Sequence, residues 1–416
     1  MNILFVSEYY PPKVMGGGEI NLELLATSLA KRRVEVLVLT SQHLGLPEIE
    51  QKEGVIIYRK LKTGNNPSGL VENVKRSLIF PKSVVEEVNK IVKKQQIEVI
   101  HFIGTSVIAA PQLKSLGIPL FATIESYPTL CPKGDRIFHG KKECIQKCSF
   151  TSFLSCQSDS QEIGKMKNDW YLKYNPPALT YIYRYYRQLN DALQYCNLIA
   201  ISKYVQDLLL QQGHKSIIIP NALPIQNFKL ARNKNSKIKI LYLGSLIKSK
   251  GAHMLTEAVQ GVDCQVEMYG EGVLKEELQK KIKQSDLPIT IHSPVPYSEI
   301  PSLYAQADII VFPSLWPEPF GRIAIEAMAA GKPVIGSAIG GIKETIIEGT
   351  GILVDPGNVP QLREAIDLLI HNSKLREEMG KKGRKMVEEL YAEEKVAERL
   401  MAVYREKVTT MVQDSN

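Results

Sequence analysis

Residues 313–344 read PSLWPEPFGRIAIEAMAAGKPVIGSAIGGIKE. An apolar run, Asp308-Ile309-Ile310-Val311-Phe312, feeds this stretch, and Pro313, Pro317 and Pro319 hold its first part in a loop. The pattern then predicts a helix from about Gly321 to Ala330, stopped by Gly331, and a second buried strand over Pro333-Val334-Ile335. Strand, loop, helix, strand is the repeating unit of a parallel α/β sheet. Such a helix start is a ready anion site, because its first N–H groups lack partners and its dipole favours negative charge. Gly321 lets a ligand approach the backbone. Glu318 and Glu326 flank that point with seven residues between them. Carboxylates accept charge-assisted hydrogen bonds from sugar hydroxyls.

Working outward, 416 residues are enough for two or three domains with cores of their own, and 44% apolar with 23% charged residues is globular composition. No apolar run reaches the roughly 18 residues of a membrane span. The opening MNILFVSEYYPP has no basic region ahead of its apolar run and reads as a first strand, so a cytoplasmic protein is expected. The net charge of +8 sits mostly in residues 1–200, which hold 25 Lys and Arg against 18 Asp and Glu, chiefly between Lys52 and Lys94 and between Lys133 and Lys147. Attraction to an anionic membrane face or a phosphate-bearing acceptor is one reading, and a solvated basic surface is the other. No nucleic-acid module accompanies the charge, so nucleic acid is not expected as a partner.

The strand Asn2–Ser7 runs into Gly16-Gly17-Gly18 and a helix expected over Ile20–Lys31, which is phosphate-binding geometry without a G-x-G-x-x-G fingerprint. Further strands are expected at Val34–Thr40, Val55–Arg59, Val99–Ile103, Pro119–Ile124 and Ile217–Ile219, with His101 a satisfied polar group on its strand. After a polar linker over Leu223–Lys239, Ile238–Leu243 opens a second series, followed by Gly244-Ser245 and Lys248-Ser249-Lys250-Gly251. A lysine in a loop just past such a strand favours phosphate binding. Val266–Tyr269 with Gly270-Glu271-Gly272 and Ile289–His292 continue the pattern, and a charged amphipathic tail covers Leu375–Val408.

The 313–344 stretch closely resembles the retaining glycosyltransferases of family 4. Pro313, Ser314, Glu318, Phe320, Gly321, Glu326-Ala327-Met328-Ala329, Gly331, Pro333-Val334, Gly340-Gly341 and Glu344 all fit that family's pattern. The resemblance implies an α/β GT-B fold: two Rossmann-like domains facing across a cleft, with a C-terminal helix returning to the first. The implied boundaries are 1–222, 223–394 and 395–416. It also implies transfer of a sugar from a UDP- or GDP-sugar to a glycan or lipid-linked acceptor, with no cofactor required. The implied donor-binding residues are Gly16, Gly17, Gly18, Gly244, Ser245, Lys250, Gly270, Glu318, Pro319, Phe320, Gly321, Arg322 and Glu326. Lys250 would neutralise the diphosphate, Glu318 would hold the sugar and Glu326 the ribose. Two departures stand out. Relatives carry T-x-H-D-Y where this chain has Thr123-Ile124-Glu125-Ser126-Tyr127, and an Arg where it has Ser245. Glu125 therefore joins Lys250 and Glu318 as a catalytic candidate, and Lys248 is a candidate substitute for the missing Arg. The departures also keep two rivals open: a catalytically silent nucleotide-sugar scaffold, and a nucleotide-sugar epimerase.

Cys131, Cys144, Cys148 and Cys156 cluster with 12, 3 and 7 residues between them. A structural zinc site, labile disulfides and unlinked thiols all remain open at this point. Cys196 and Cys264 read as small core residues. Residues 165–190 are rich in aromatic and basic side chains, among them Trp170, Tyr171, Tyr174, Tyr181, Tyr183, Tyr185 and Tyr186. Sugar stacking and membrane contact compete there with plain helix packing.

Overall fold

The computed structural model describes residues 1–63, 70–138, 142–158, 175–230 and 237–414; Trp170, Tyr171 and Tyr174 lie outside them. The N-terminal half contributes β1 (Asn2–Ser7), β2 (Glu35–Ser41), β3 (Ile49–Lys52), β4 (Val55–Leu61), β5 (Val99–Ile103), β6 (Leu120–Ile124), the short β7 (Ile137–Phe138) and β8 (Lys142–Glu143), β9 (Asn197–Ala200) and β10 (Ser216–Ile218). Eight of these form one sheet in the order β10-β9-β6-β5-β1-β2-β4-β3, while β7 and β8 pair separately. Every pairing in the large sheet is parallel except β3 with β4. The antiparallel edge strand β3 escapes sequence reading because its residues, IEQK, carry no apolar run. The central strands are near-continuous apolar runs, as burial on both faces requires.

The second half adds β11 (Lys239–Leu243), β12 (Gln265–Tyr269), β13 (Ile289–His292), β14 (Ile309–Phe312), β15 (Val334–Ser337) and β16 (Gly351–Val354). They form an all-parallel sheet in the order β13-β12-β11-β14-β15-β16. The helix after the 313–320 loop spans Arg322–Ala329, one residue shorter at each end than expected.

Two chain segments connect the halves, and they lie side by side. Leu223 N–H donates to the Tyr391 carbonyl at 2.8 Å, and Glu393 N–H donates to the Leu223 carbonyl at 3.1 Å. The amphipathic tail is therefore two helices and not one. Ser373–Leu390 packs on the second body, where Gly383 lies against Met328. After a break at Tyr391-Ala392, Glu393–Asp414 packs on the first, burying Val396, Ala397, Leu400, Met401 and Tyr404 with Ile3, Phe5 and Leu22. A single apolar cluster runs from Leu4, Phe102 and Ile124 through Tyr127 and Leu223 to Phe320, Ala324 and Met328. The two bodies thus share core where they meet, and the seam between the sheet ends is held in register.

His101 is buried between Thr123 and Tyr404: Nε2 lies 2.7 Å from the Thr123 hydroxyl, and Nδ1 meets the Tyr404 hydroxyl. Burial pushes it down to about 3, so it is a neutral core histidine. The tyrosines of the Pro176–Ala192 helix are likewise spent on packing. Tyr181 donates to the Val74 carbonyl, Tyr183 to the Cys148 carbonyl and Tyr186 to Gln212. Among the described residues, no helix is long and apolar enough to cross a membrane.

Candidate active site

Three loops converge at the seam. The first is the turn after β11, where Lys248–Lys250 forms a short 3-10 helix ended by Gly251 at φ +74°. A Cβ on Gly251 would stand 1.9 Å from the Pro313 carbonyl oxygen, so only glycine lets this turn dock on the 313–320 loop. Docking delivers Lys250 to Glu318: Nζ lies 2.5 Å from Oε1, and the Ser314 hydroxyl donates to the same oxygen at 3.2 Å. The Trp316 ring lies 4.4 Å from the Lys250 ammonium, an added attraction for the cation. Behind the loop, the Gly340-Gly341 turn packs so tightly that a Cβ at either position would overlap the backbone of residues 317–320. Gly341 N–H closes that contact on the Glu318 carbonyl at 2.7 Å.

Gly244 and Gly270 also serve close packing. A Cβ on Gly270 would stand 2.0 Å from the Gly244 carbonyl oxygen, and Ser245 beside them is exposed. Lys248, the candidate substitute for the Arg missing at Ser245, is exposed as well. Phe320 turns inward, edge-on to Tyr391 at 5.6 Å. Whatever Phe320 and Pro319 offer a ligand comes from their backbone.

The Arg322–Ala329 helix opens from Gly321 at φ +98°. Its first side chain is a cation, Arg322, which the resemblance places among the donor-binding residues without a role of its own. Arg322 Nε donates to Glu326 Oε1 at 2.8 Å, Nη2 to the Tyr297 hydroxyl at 2.8 Å, and Nη1 reaches the Ala222 carbonyl at 3.4 Å. Glu326 itself is 5% exposed, with Tyr297 donating to Oε1 at 2.9 Å and Tyr304 to Oε2 at 3.0 Å. Glu318 is paired with a lysine, and Glu326 sits in a closed network with Arg322 and two tyrosines.

From the first body comes the glycine segment. It is not a loop: the helix begins at Gly17 and spans Gly17–Ala30, so Gly17 and Gly18 form its first turn. Gly16 is extended, and Glu19 reaches back to accept from its N–H at 2.9 Å. Steric room explains the glycines better than backbone freedom does. A Cβ on Gly17 would touch the Arg322 side chain at 3.4 Å, and one on Gly18 would collide with Glu125 Oε2 at 2.1 Å. Glu125, at the end of β6, accepts from Asn21 Nδ2 at 2.8 Å, while Asn21 Oδ1 accepts from Ala222 N–H at 2.8 Å. Burial is the main reason its carboxyl is pushed up to about 7, with Glu19 adding to the rise and Asn21 and Arg322 opposing it. Ser126 points to solvent.

The bodies are latched by backbone contacts that motif reading had no means to find. Tyr127 donates to the Pro317 carbonyl, Ser202 to the Pro319 carbonyl at 2.6 Å, and Trp316 Nε1 to the Asp135 carbonyl at 2.7 Å. Glu344 crosses the seam to accept the Lys203 and Tyr204 N–H groups, at 2.7 and 2.5 Å, at the start of the Lys203–Gln211 helix. A carboxylate at a helix N-terminus is favoured by the dipole as well as by the hydrogen bonds.

The four clustered cysteines are free thiols, as are Cys196 and Cys264. Cys131, Cys144, Cys148 and Cys156 line one small cavity. Burial, then the charges of Cys131, Cys144 and Cys156, push the Cys148 thiol up to about 12.

Two mainly parallel α/β bodies meeting at a seam of loops and helix starts are the arrangement of the GT-B fold. Sucrose-phosphate synthase from Thermosynechococcus elongatus shares this fold at a TM-score of 0.76 and 21% identity, with 98% of this chain and 99% of that one covered. The Anabaena protein HepE, solved with UDP-glucose, aligns at a TM-score of 0.67 and 18% identity over 99% and 100% of the two chains. The chain belongs to Glycosyltransferase Family 4, whose model matches residues 15–227; that of the glycosyl transferases group 1 matches residues 225–386. An uncharacterised glycosyltransferase of Methanocaldococcus jannaschii is 26% identical over 431 residues, covering 97% of this chain and 98% of its own. A second from that organism is 29% identical over 212 residues, which span 50% of this chain and 59% of its own. A capsular polysaccharide biosynthesis glycosyltransferase of Staphylococcus aureus is 30% identical over 202 residues, 44% of this chain and 52% of its own.

Proposed function

We propose that the protein is a retaining glycosyltransferase that moves a hexosyl group from a UDP- or GDP-sugar to a hydroxyl of a glycan or lipid-linked acceptor, in cell-surface polysaccharide or glycolipid synthesis. The observation that carries this reading is the Lys250–Glu318 pair beside the Arg322–Ala329 helix start, with Arg322 lying against Gly17 of the other body. A donor diphosphate at that point meets two cations and the N-termini of two helices, each favourable to anions. Lys250 and Arg322 share the charge of the departing diphosphate, and Arg322 supplies the second cation that Ser245 cannot. The donor sugar is held by Glu318, and the ribose by Glu326 in exchange for its Arg322 and Tyr297 contacts. Acceptor binding falls to the first body, where Glu125 lies against Gly18. The capsule-building relative and the neighbour solved with UDP-glucose support the donor class and the pathway.

A cytoplasmic site of action at the membrane face fits the basic N-terminal half. Exposed Leu78 and Ile79, between exposed Lys75 and Lys82, suit peripheral contact with anionic lipid. Thermal stabilisation by a panel of UDP- and GDP-sugars tests the donor class, since a ligand that binds only the folded state raises apparent stability by mass action. Acceptor-dependent release of nucleoside diphosphate then separates transfer from silent binding. Turnover of donor without acceptor would mark an epimerase instead.

A further inference from the structure

We propose that Cys131, Cys144, Cys148 and Cys156 form a zinc site that braces the loop supporting Trp316. The four side chains come from different local structures yet line one cavity. Cys131 heads a tight turn, Cys131-Pro132-Lys133-Gly134, closed by the Gly134 N–H on its own carbonyl at 2.9 Å, with Gly134 at φ +73°. Cys144 is pinned beside that turn by its N–H donating to the Arg136 carbonyl at 2.7 Å. Cys148 precedes the Phe150–Ser158 helix, and Cys156 sits on it with Sγ 3.4 Å from the Ile137 carbonyl. Among the described residues, no three His, Cys, Asp or Glu side chains already stand as a metal site. Closing this one would require the four thiols to turn into the cavity they share.

The independent observation is Arg136, which lines the same cavity and is 1% exposed. Its Nη1 is spent on the Leu130 and Gln146 carbonyls, but Nε and Nη2 find no hydrogen-bond partner among the described residues. Lys133 is nearly as buried, and its Nζ lies 3.4 Å from Cys156 Sγ. The nearby carboxylates are engaged elsewhere, Asp135 facing Lys133 at 3.3 Å and Glu143 lying by Tyr204. A buried guanidinium with idle donors is a costly arrangement. Four thiolates around zinc(II) make a dianion, toward which the idle Arg136 N–H groups and the Lys133 ammonium would donate as an outer shell. Zinc binding releases the four thiol protons to solvent, with no change of oxidation state. The same turn carries the Asp135 carbonyl that accepts from Trp316 Nε1, and Trp316 lies against Lys250. Metal in the cavity would thus stiffen the support of the donor-site cation.

The test is the metal content of the full chain purified under reducing conditions, followed by cobalt(II) substitution. One zinc per chain, released when a mercurial blocks the thiols, is expected. So are the ligand-field and thiolate charge-transfer bands of tetrahedral cobalt(II). Cys148→Ser should lower the metal content, and Cys264→Ser should leave it unchanged. In a Trp170→Phe background, zinc release should also shift the emission of Trp316. Should Cys148→Ser fail to fold, the wild-type zinc ratio and cobalt spectrum decide alone. The proposal is overturned by a wild-type chain that holds no zinc and gives no cobalt–thiolate bands after incubation with either metal. Disulfides among the four cysteines, or iron in their place, would overturn it equally.

Discussion

Lys250 and Glu318 meet head to head, with Nζ 2.5 Å from Oε1 and both side chains largely shielded from solvent. The lysine expected to face an incoming phosphate is therefore already matched by a carboxylate on the loop expected to hold the sugar. Donor binding exchanges one anion for another at the ammonium and frees Glu318 for the sugar. Glu318→Gln should accordingly bind the product nucleoside diphosphate several-fold more tightly, by about 1 kcal/mol, while turnover falls. Calorimetry with UDP and GDP measures the first effect. Affinity equal to or weaker than wild type would show that the pair does not compete with phosphate.

Trp316 links that pair to the first body. Trp316→Phe removes the indole N–H from the Asp135 carbonyl and weakens the contact with Lys250. The two losses together amount to about 1–2 kcal/mol, so kcat/KM should fall about tenfold with little change in fold. Steady-state kinetics checks this against the circular dichroism spectrum.

Glu125 gives the site a pH dependence. Its carboxyl, pushed up to about 7 mainly by burial, is protonated below that pH and charged above it. A bound diphosphate raises the value further, so donor binding takes up a proton. Donor affinity should be highest below pH 7 and decline as pH rises through it, by tenfold for each unit that the donor adds, about 1.4 kcal/mol. Glu125→Gln should flatten that profile. The stability sign follows from linkage: the raised value stabilises the fold at low pH, and that contribution is lost as pH rises through about 7. Glu125→Gln should then melt higher than wild type at pH 8 and alike at about pH 4, below the ordinary carboxyl value of 4.5. An unchanged difference between the two pH values would place Glu125 in a wetter setting.

Glu326 calls for two variants. Its carboxylate holds Arg322, Tyr297 and Tyr304 as well as standing where ribose is proposed to bind. Glu326→Ala strands a buried guanidinium, a loss of about 3–5 kcal/mol, and should lower the melting temperature sharply. Glu326→Gln keeps most hydrogen bonds and should keep the fold while raising the donor KM. A glutamine variant with wild-type KM would leave Glu326 a purely structural residue.

Much of this was legible in the chain itself. The strands from Asn2, Val99 and Lys239 announce themselves as apolar runs, and Pro313–Glu344 carries the loop and helix at the heart of the seam. Residue type alone could not tell where side chains spend their hydrogen bonds. Glu326 reads as a ribose acceptor, yet three protein donors already bond it. Gly17 and Gly18 read as a phosphate-binding loop ahead of the helix, yet they begin that helix and are small because Arg322 and Glu125 lie against them. Arg322, Trp316 and Glu344 act across hundreds of residues of sequence or between bodies, a relationship with no local signal. The β3 edge strand pairs through its backbone, and its composition hides it.

The most direct measurement is acceptor-dependent release of nucleoside diphosphate from UDP- and GDP-sugars by wild type and Lys250→Ala, with a cell extract supplying acceptors. Release from a UDP- or GDP-sugar by wild type, with kcat/KM lowered about a hundred- to a thousandfold in Lys250→Ala, is the predicted result. Wild-type rates in the variant, or no release from any donor by the wild type, would contradict the account.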